Sequence, residues 1–463
     1  MQRLLAPACA TLVAYPNKPP PAGYRLEPSL AEAKPLVSRG GRTYTFTIRK
    51  DARFSDGTHV TARAFARALE RILTPAMESD FYPAFEDIVG ARKMLADKTT
   101  TLAGAVARGR TLTLRLTKPI PDLLLSLARL CAVPSNLPTD PEGARAPLPS
   151  PAPYYVAEYV PGERLVLERN RFYAGDRPHH VARFVANLAS DFGPGIDQVE
   201  SGAVDLFLPG HTPEQTVELA RRYGVNRSRF FIKQGNTLRV FGLNNRALFA
   251  NNPKLRQAVN FAVDRQALAQ EAGPLVETPA DQYLVPSVRG YRNQSIYPLK
   301  GPDLRRARTL AKGHLRGGKA VLYTIDQPGD IARAQILQRN LKAIGLEVEI
   351  KAFPLGVYFE KINTPGEPFD LARIQYGTSP EPMYMNFLFG DVLPRKYHRL
   401  LDRASRLIAD DRYRAYGDLD GQISRDAAPM IPVTVVNAQT FVSARVDCIV
   451  LNPGLDLTAV CLK

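Results

Sequence analysis

The chain has no tryptophan, only four cysteines and only six histidines among its 463 residues. No stretch approaches the roughly 20 uninterrupted apolar residues that a membrane-spanning helix needs, which argues against an integral membrane protein. The cysteines form no CxxC pair, so zinc-ribbon and thiol-redox motifs have no support. Catalytic motifs are missing too: there is no GxSxG elbow, no HExxH and no GxGxxG. The nearest phosphate-loop likeness, Gly313 to Ala320, ends in alanine where a magnesium-binding hydroxyl is required. It also precedes a strand pattern, whereas a P-loop follows one, so it reads as a turn. Of the histidines (His59, His179, His180, His211, His314 and His398) only His179 and His180 adjoin, and adjacent side chains on a strand point to opposite faces. We expect no catalytic residues, no metal and no cofactor: not an enzyme.

What is present is an ordinary globular composition, with 45% hydrophobic and 23% charged residues. At roughly 150 residues per domain the length predicts about three structural units. The formal charge is +16, but the basic residues are scattered and mixed with acids, as in Glu163, Arg164, Glu168, Arg169 and Arg171, and no run of five or more Lys/Arg occurs. That pattern predicts a generally basic surface, suited to a place beside an anionic envelope, and no nucleic-acid partner. Cys9, Cys131, Cys448 and Cys461 allow three pairings. A Cys448–Cys461 bridge would leave Cys9–Cys131 as the second and imply an oxidising compartment; four buried reduced thiols are the other reading. Residues 1–13 lack a charged n-region and a long apolar stretch, so they make a poor signal peptide. If the protein is exported, the signal is expected upstream of this chain or missing.

Along the chain, Thr43–Arg49 alternates as a half-buried strand. Ser55-Asp56-Gly57 marks a turn, and Thr61 is placed to cap a helix with Phe65, Ala68, Leu69 and Ile72 on one face. Thr111–Thr117 is a second strand, followed by an apolar helix over 122–130. Seven prolines between Pro134 and Pro153 exclude regular structure there. Strands are predicted at Tyr154–Tyr159, Arg164–Glu168 and Gln234–Leu243, and one helix over Asn251–Ala272. Then come a helix at Pro302–Leu310, a strand at Val321–Ile325, a helix at Ile331–Ile344 capped by Gly345, a strand at Leu346–Ile350, helices near 397–409 and 411–425, and a closing strand from Pro429. Alternating helix and strand predicts α/β layering.

Several runs carry a resemblance, in order. Tyr44-Thr45-Phe46-Thr47-Ile48-Arg49-Lys50, Phe54-Ser55-Asp56-Gly57-Thr58, Val60-Thr61-Ala62 and Leu69-Glu70-Arg71-Ile72-Leu73 come early, preceded by Pro28-Ser29-Leu30-Ala31-Glu32. Later come Leu165 to Asn170 with Tyr173 and Gly175, Ser201-Gly202-Ala203-Val204-Asp205, Leu255 to Arg265 (LRQAVNFAVDR) and Leu341 to Val348. Together they resemble the extracellular solute-binding protein family 5, the oligopeptide-, dipeptide- and nickel-binding components of ABC importers. The resemblance implies an α/β, two-lobed, periplasmic-binding-protein-like fold of type II with an extra inserted subdomain and a ligand cleft between hinged lobes. Mapped here, lobe I is 1–26, 148–239 and 433–463, the insert 27–147, and lobe II 240–432, with crossovers near Gln234–Asn244 and Pro429–Val436. Hinge closure around a ligand explains binding without catalysis.

Departures shape the expected site. The family begins with a strand upstream of Met1 that contributes backbone to the cleft, so the chain looks shortened. Its "G-GPY" turn reads Pro151-Ala152-Pro153-Tyr154. Its "ADY" aspartate, which pairs with a peptide amino terminus, is matched by Gln375, with Arg373 on the same strand face. That favours an uncharged or anionic group there, or a blocked N-terminus. The resemblance thus implies ligand contacts from backbone of Leu371–Tyr376, with Leu371, Arg373, Gln375, Tyr376, Tyr154 and Tyr384 as site residues and Tyr358 as a further aromatic candidate. Expected partners are a peptide or peptide-like ligand and ABC transporter permease subunits, with membrane contact only by anchoring or docking, a monomer, and an extracytoplasmic place in the periplasm or on the outer face of the cytoplasmic membrane. A signalling or adhesion receptor on the same fold, and a degraded non-functional copy, are the alternatives.

Overall fold

A computed structural model of the chain describes residues 2–16, 18, 23, 25–79, 81–120, 122–141, 145–188, 195–208, 211–245, 248–377, 381–407, 409–451 and 455–463. It divides into two compact units, residues 1–205 with 443–463, and residues 206–442.

Unit 1 opens with the short pair β1 (Val13–Ala14) and β2 (Glu27–Pro28). A four-stranded antiparallel sheet follows, of β3 (Leu36–Val37), β4 (Thr43–Thr47), β5 (Ala105–Arg108) and β6 (Thr111–Arg115), in the order β3-β4-β6-β5. Period-two alternation buries Tyr44 and Phe46 of β4 and Leu112 and Leu114 of β6. Helix α1 (Ala62–Leu73) packs Phe65, Ala68, Leu69 and Leu73 into the same core. Thr61 precedes α1 with extended backbone, but its side chain makes no capping bond. The carbonyl of Gly109 takes the Ala62 N–H at 2.9 Å and the carbonyl of Thr61 takes the Ala64 N–H at 3.1 Å, so backbone acceptors serve the first turn where the sequence suggested a hydroxyl. The predicted 122–130 helix is shorter, Leu123–Leu127. Through 134–153 the described residues hold no helix or strand. An antiparallel meander then forms from β7 (Tyr154–Val160), β8 (Arg164–Arg169) and β9 (Arg183–Asn187).

Unit 2 is built on a six-stranded mixed sheet. Its strands are β10 (Phe230–Leu243), β11 (Glu277–Pro279), β12 (Lys319–Ile325), β13 (Glu347–Phe353), β14 (Leu371–Gly377) and β15 (Met430–Phe441), ordered β11-β15-β10-β14-β12-β13. Strand β12 runs parallel to β13 and β14; the other pairings are antiparallel. One face buries Phe241, Leu243, Leu322 and Leu371 against helices α2 (Pro253–Ala262), α3 (Arg265–Glu271), α4 (Leu304–Ala311) and α5 (Pro328–Lys342). After α6 (Leu355–Asn363), the opposite face buries Leu238, Val240 and Val435 against α7 (Met385–Leu388), α8 (Arg395–Ser405) and α9 (Ala409–Gln422). Gly345, at φ +89°, ends the last turn after α5 in the left-handed region that glycine tolerates.

One predicted helix becomes two. Between α2 and α3 the chain extends at Val263, and Asp264 caps α3 by accepting from Ala267 N–H at 2.9 Å. The break aims Arg265 into the core, where it is fully buried. Its Nε donates to the carbonyls of Ala280 and Pro432, its Nη1 to the carbonyl of Asn260 and its Nη2 to Asn260 Oδ1. Burial lowers its pKa to about 10.

Unit 1 resumes at Ser443, whose N–H donates to the Asp205 carbonyl. Arg445 grips both Asp205 carboxylate oxygens at 2.7 Å. The chain ends with the antiparallel pair β16 (Val446–Asp447) and β17 (Cys461–Leu462), spanned by a Cys448–Cys461 disulfide; Cys9 and Cys131 form the second bridge.

Asp420 on α9 is wholly buried and accepts from Gln282 Nε2 and from the N–H groups of Tyr283 and Leu284, at 2.7–3.2 Å. Burial nevertheless pushes its carboxyl up to about 7 from an ordinary 3.8. Its folded pKa lies above its unfolded one, so the stability linked to the neutral form is complete below about pH 4 and is lost as pH climbs to about 7, by roughly 4 kcal/mol. Urea midpoints across that window should fall more steeply for the wild type than for Asp420→Asn. Parallel curves would show that Asp420 does not titrate there.

Candidate functional site

Strand β14 carries the first group of candidate residues because it sits inside the sheet, beside β10. Their register places Gln375 opposite Arg239 and Arg373 opposite Phe241. Arg373 Nε donates to Asp330 Oδ1 at 3.0 Å, and Arg373 Nη2 to Gln375 Oε1 at 3.3 Å. Tyr358 donates its hydroxyl to the Arg373 carbonyl. Asp330, in the first turn of α5, also meets Arg333 Nη1 at 3.6 Å. Arg333 reaches Glu277 at 3.5 Å, which accepts from Arg239 Nε at 2.6 Å and from the Thr434 hydroxyl. Three guanidiniums thus share two carboxylates whose side chains are 1% and 6% exposed. Such a group keeps its charges only because they are mutually paired. Burial lowers the Arg333 pKa from its ordinary value.

The six predicted ligand residues do not gather at one place. Arg373 and Gln375 are hydrogen-bonded neighbours, with Gln375 exposed. Leu371 is fully buried in the core beneath α2 and α5. Tyr376 and Tyr384 pack on the other face of the sheet; Tyr384 donates to the Tyr283 carbonyl at 2.7 Å, and burial raises the Tyr376 pKa to about 12. Tyr154 belongs to unit 1, where it is wholly buried, donates to the Val181 carbonyl at 2.9 Å and meets the Phe184 ring edge-on.

Unit 1 holds a cavity of about 1030 Å³ that sequence reasoning did not assemble. Its charged lining is Lys18, Arg49, Arg53, Arg129 and Arg177 against Glu27, Asp176 and Asp456. Each arginine is braced. Arg177 donates to the carbonyls of Cys9 and Ala6, and Arg53 to that of Gly57. Arg129 stacks 4.4 Å over the Phe81 ring. Arg49 pairs with Asp51 at 2.7 Å and donates to the Ala174 carbonyl. Arg53, Arg129 and Arg177 have no carboxylate partner among the described residues, so the chamber offers fixed positive charge to a guest. Cys9 and Cys131 both line it, and their bridge pins the N-terminal segment to its wall. The one sequence signal was Arg49, within the run Tyr44–Lys50 that carries part of the family resemblance. Such a site can orient an anion by charge-assisted hydrogen bonds. Among the described residues no group of three or more His, Cys, Asp or Glu could hold a metal, and no helix is long and apolar enough to cross a membrane.

Comparison with known proteins adds an independent line. Residues 25–392 match the family described as "Bacterial extracellular solute-binding proteins, family 5 Middle". The probable deoxycholate-binding periplasmic protein YgiS of Escherichia coli is 27% identical over 303 residues, 63% of this chain and 55% of that protein. The periplasmic oligopeptide-binding protein OppA of Salmonella typhimurium is 23% identical over 446 residues, 89% of this chain and 80% of that one. The chain thus spans little more than half the length of the first of these relatives. Among solved structures, a clavulanic acid biosynthesis oligopeptide binding protein superposes with TM-score 0.86 at 23% identity, covering 99% of this chain and 91% of its own. The unliganded open form of the murein tripeptide binding protein MppA gives 0.80 at 19% identity, covering 99% and 92%. These likenesses show a shared fold.

Asp330 is the hinge of the charge group around Arg373. Asp330→Asn takes its carboxylate from the partly buried Arg373 and leaves Arg333 with Glu277 alone, and should cost about 2 kcal/mol, read as a lower urea midpoint. An unchanged midpoint would mean that the pairs contribute nothing.

Proposed function

The chain belongs to the bacterial extracellular solute-binding proteins, family 5, and from that premise we propose that it captures a peptide or peptide-like solute outside the cytoplasm and delivers it, chemically unchanged, to the permease subunits of an ABC importer. Capture works by hinge closure around the ligand, and the protein acts as a monomer. In this proposal lobe I is residues 1–26, 148–239 and 433–463, the inserted subdomain 27–147, and lobe II 240–432. Arg373 and Gln375 set ligand polarity, and Leu371 and Tyr376 hold their strand in place. Tyr384 and Tyr154 act through packing and through their backbone. Membrane contact is by anchoring or docking.

The observation that carries the reading is the ordered family match over 25–392. What supports the ligand class is the excess of guanidinium over carboxylate, both around Arg373 and in the unit 1 cavity. Peptides and deoxycholate, named for two of the relatives, each bear a carboxylate that arginine recognises well.

Calorimetric titration with di- to pentapeptides in free-acid and C-terminally amidated forms tests this. A free carboxylate should bind about 10- to 100-fold more tightly than its amide. No heat and no thermal shift with any peptide would count decisively against peptide capture, and equal affinities would remove the arginines from recognition.

A further inference from the structure

Helix α8 carries a further concentration of positive charge, made of residues that neither the Arg373 group nor the unit 1 cavity uses. Its sequence is Arg395-Lys396-Tyr397-His398-Arg399-Leu400-Leu401-Asp402-Arg403-Ala404-Ser405. With 3.6 residues per turn and a rise of about 1.5 Å per residue, Arg395, Arg399 and Arg403 fall on one stripe about 12 Å long. All three are exposed, as is Lys396 beside them. The opposite face, with Tyr397, Leu401 and Ala404, is buried in the core of unit 2. Tyr397 fastens it by donating its hydroxyl to Asp426 at 3.1 Å. The helix is therefore rigidly mounted with its charged side outward.

The charge on that stripe is not neutralised within the protein. Elsewhere on this basic surface several exposed arginines of the helices have carboxylate partners, such as Arg221 with Glu218 and Arg414 with Asp411. Among the described residues Arg395, Arg399 and Arg403 form no ion pair. Asp402, the single acid of the helix, is occupied by Arg406 at 2.6 Å. Two exposed apolar residues lie on neighbouring segments: Leu407, four positions after Arg403 and just past the helix end, is 40% exposed, and Phe387, on the α7 helix that contacts α8, is 85% exposed. Aligned arginines with exposed apolar residues on adjoining segments match an anionic lipid interface, where headgroup phosphates take the cations and apolar side chains enter the acyl boundary. A duplex, with its bases already stacked inside, would give Phe387 and Leu407 no such role.

We propose that the Arg395–Arg399–Arg403 stripe, with Phe387 and Leu407, is a docking surface for anionic phospholipid. It would hold the protein against the outer face of the membrane that bears its importer, raising the local concentration for delivery.

The test is co-sedimentation of the purified chain with vesicles of roughly one-third phosphatidylglycerol in phosphatidylcholine, against pure phosphatidylcholine. The wild type should pellet with the anionic vesicles only and be released by high salt, as screening requires. Arg395→Gln/Arg399→Gln/Arg403→Gln should weaken partition about a hundredfold, at roughly a factor of five per charge. Lys34→Gln/Arg39→Gln/Lys98→Gln removes the same net charge from exposed positions of unit 1 and should bind like the wild type. If the stripe variant loses its cooperative melt, Arg399→Gln alone is read, with about a fivefold loss expected. Equal losses in the two triple variants, binding to neutral vesicles as strong as to anionic ones, or displacement by duplex DNA at matched phosphate would each overturn the proposal.

Discussion

The antiparallel ladder between Phe230–Leu243 and Met430–Phe441 is the contact on which the rest of unit 2 depends. It joins strands roughly two hundred residues apart in sequence, so everything between them becomes one closed insertion. Bringing such distant segments together is entropically costly. The cost is offset by the two cores on the sheet faces and by buried donors aimed at the start of β15. The Met430 carbonyl accepts from Asn260 Nδ2 and from the Tyr283 hydroxyl, and the Pro432 carbonyl from Arg265. Past the ladder, Leu206 bridges to Val442 in unit 2, and Ser443 meets Asp205 in unit 1. The chain thus leaves and re-enters unit 1 through residues that are hydrogen-bonded to one another.

The same ladder decides where function can reside. Because β14 pairs with the other edge of β10, Arg373 and Gln375 are held in a fixed register against Arg239, and α5 brings Asp330 to them. Charge is admitted to the interior here only in mutual pairs, in keeping with the cost of an isolated buried ion. In unit 1 the solution differs. Arg53, Arg129 and Arg177 are braced by backbone carbonyls and an aromatic ring, which fix their direction without cancelling their charge. A binder that must also let go is served by such charge-assisted bonds, which orient a ligand while leaving it exchangeable.

Much of the fold was legible because it follows local periodicity. Tyr44 and Phe46 alternate with threonines, and the β12–α5–β13 crossover shows helix and strand periods in turn, with Gly345 closing the helix. The misses have tertiary causes. The α2–α3 break is hidden because Leu255, Val259 and Leu268 keep a helical apolar pattern across it, while the reason to break is an acceptor set for Arg265 supplied by Ala280 and Pro432. Thr61 satisfied the local rule for a cap, yet backbone carbonyls serve the first turn: Gly109, distant in sequence, takes the Ala62 N–H and Thr61's own carbonyl the Ala64 N–H. The cavity was unreadable because its cations come from Lys18 to Arg177 with no common spacing. The two disulfides match one of the readings the sequence left open, the one suggested by the nearness of Cys448 to Cys461.

The central claim is capture without chemistry. Its most direct measurement is to incubate the purified protein with a defined peptide mixture, remove free ligand by gel filtration, denature the complex and weigh what is released by mass spectrometry. The account predicts intact peptides, at about one per protein molecule. Shortened or modified products, or an empty protein at every peptide concentration, would contradict it.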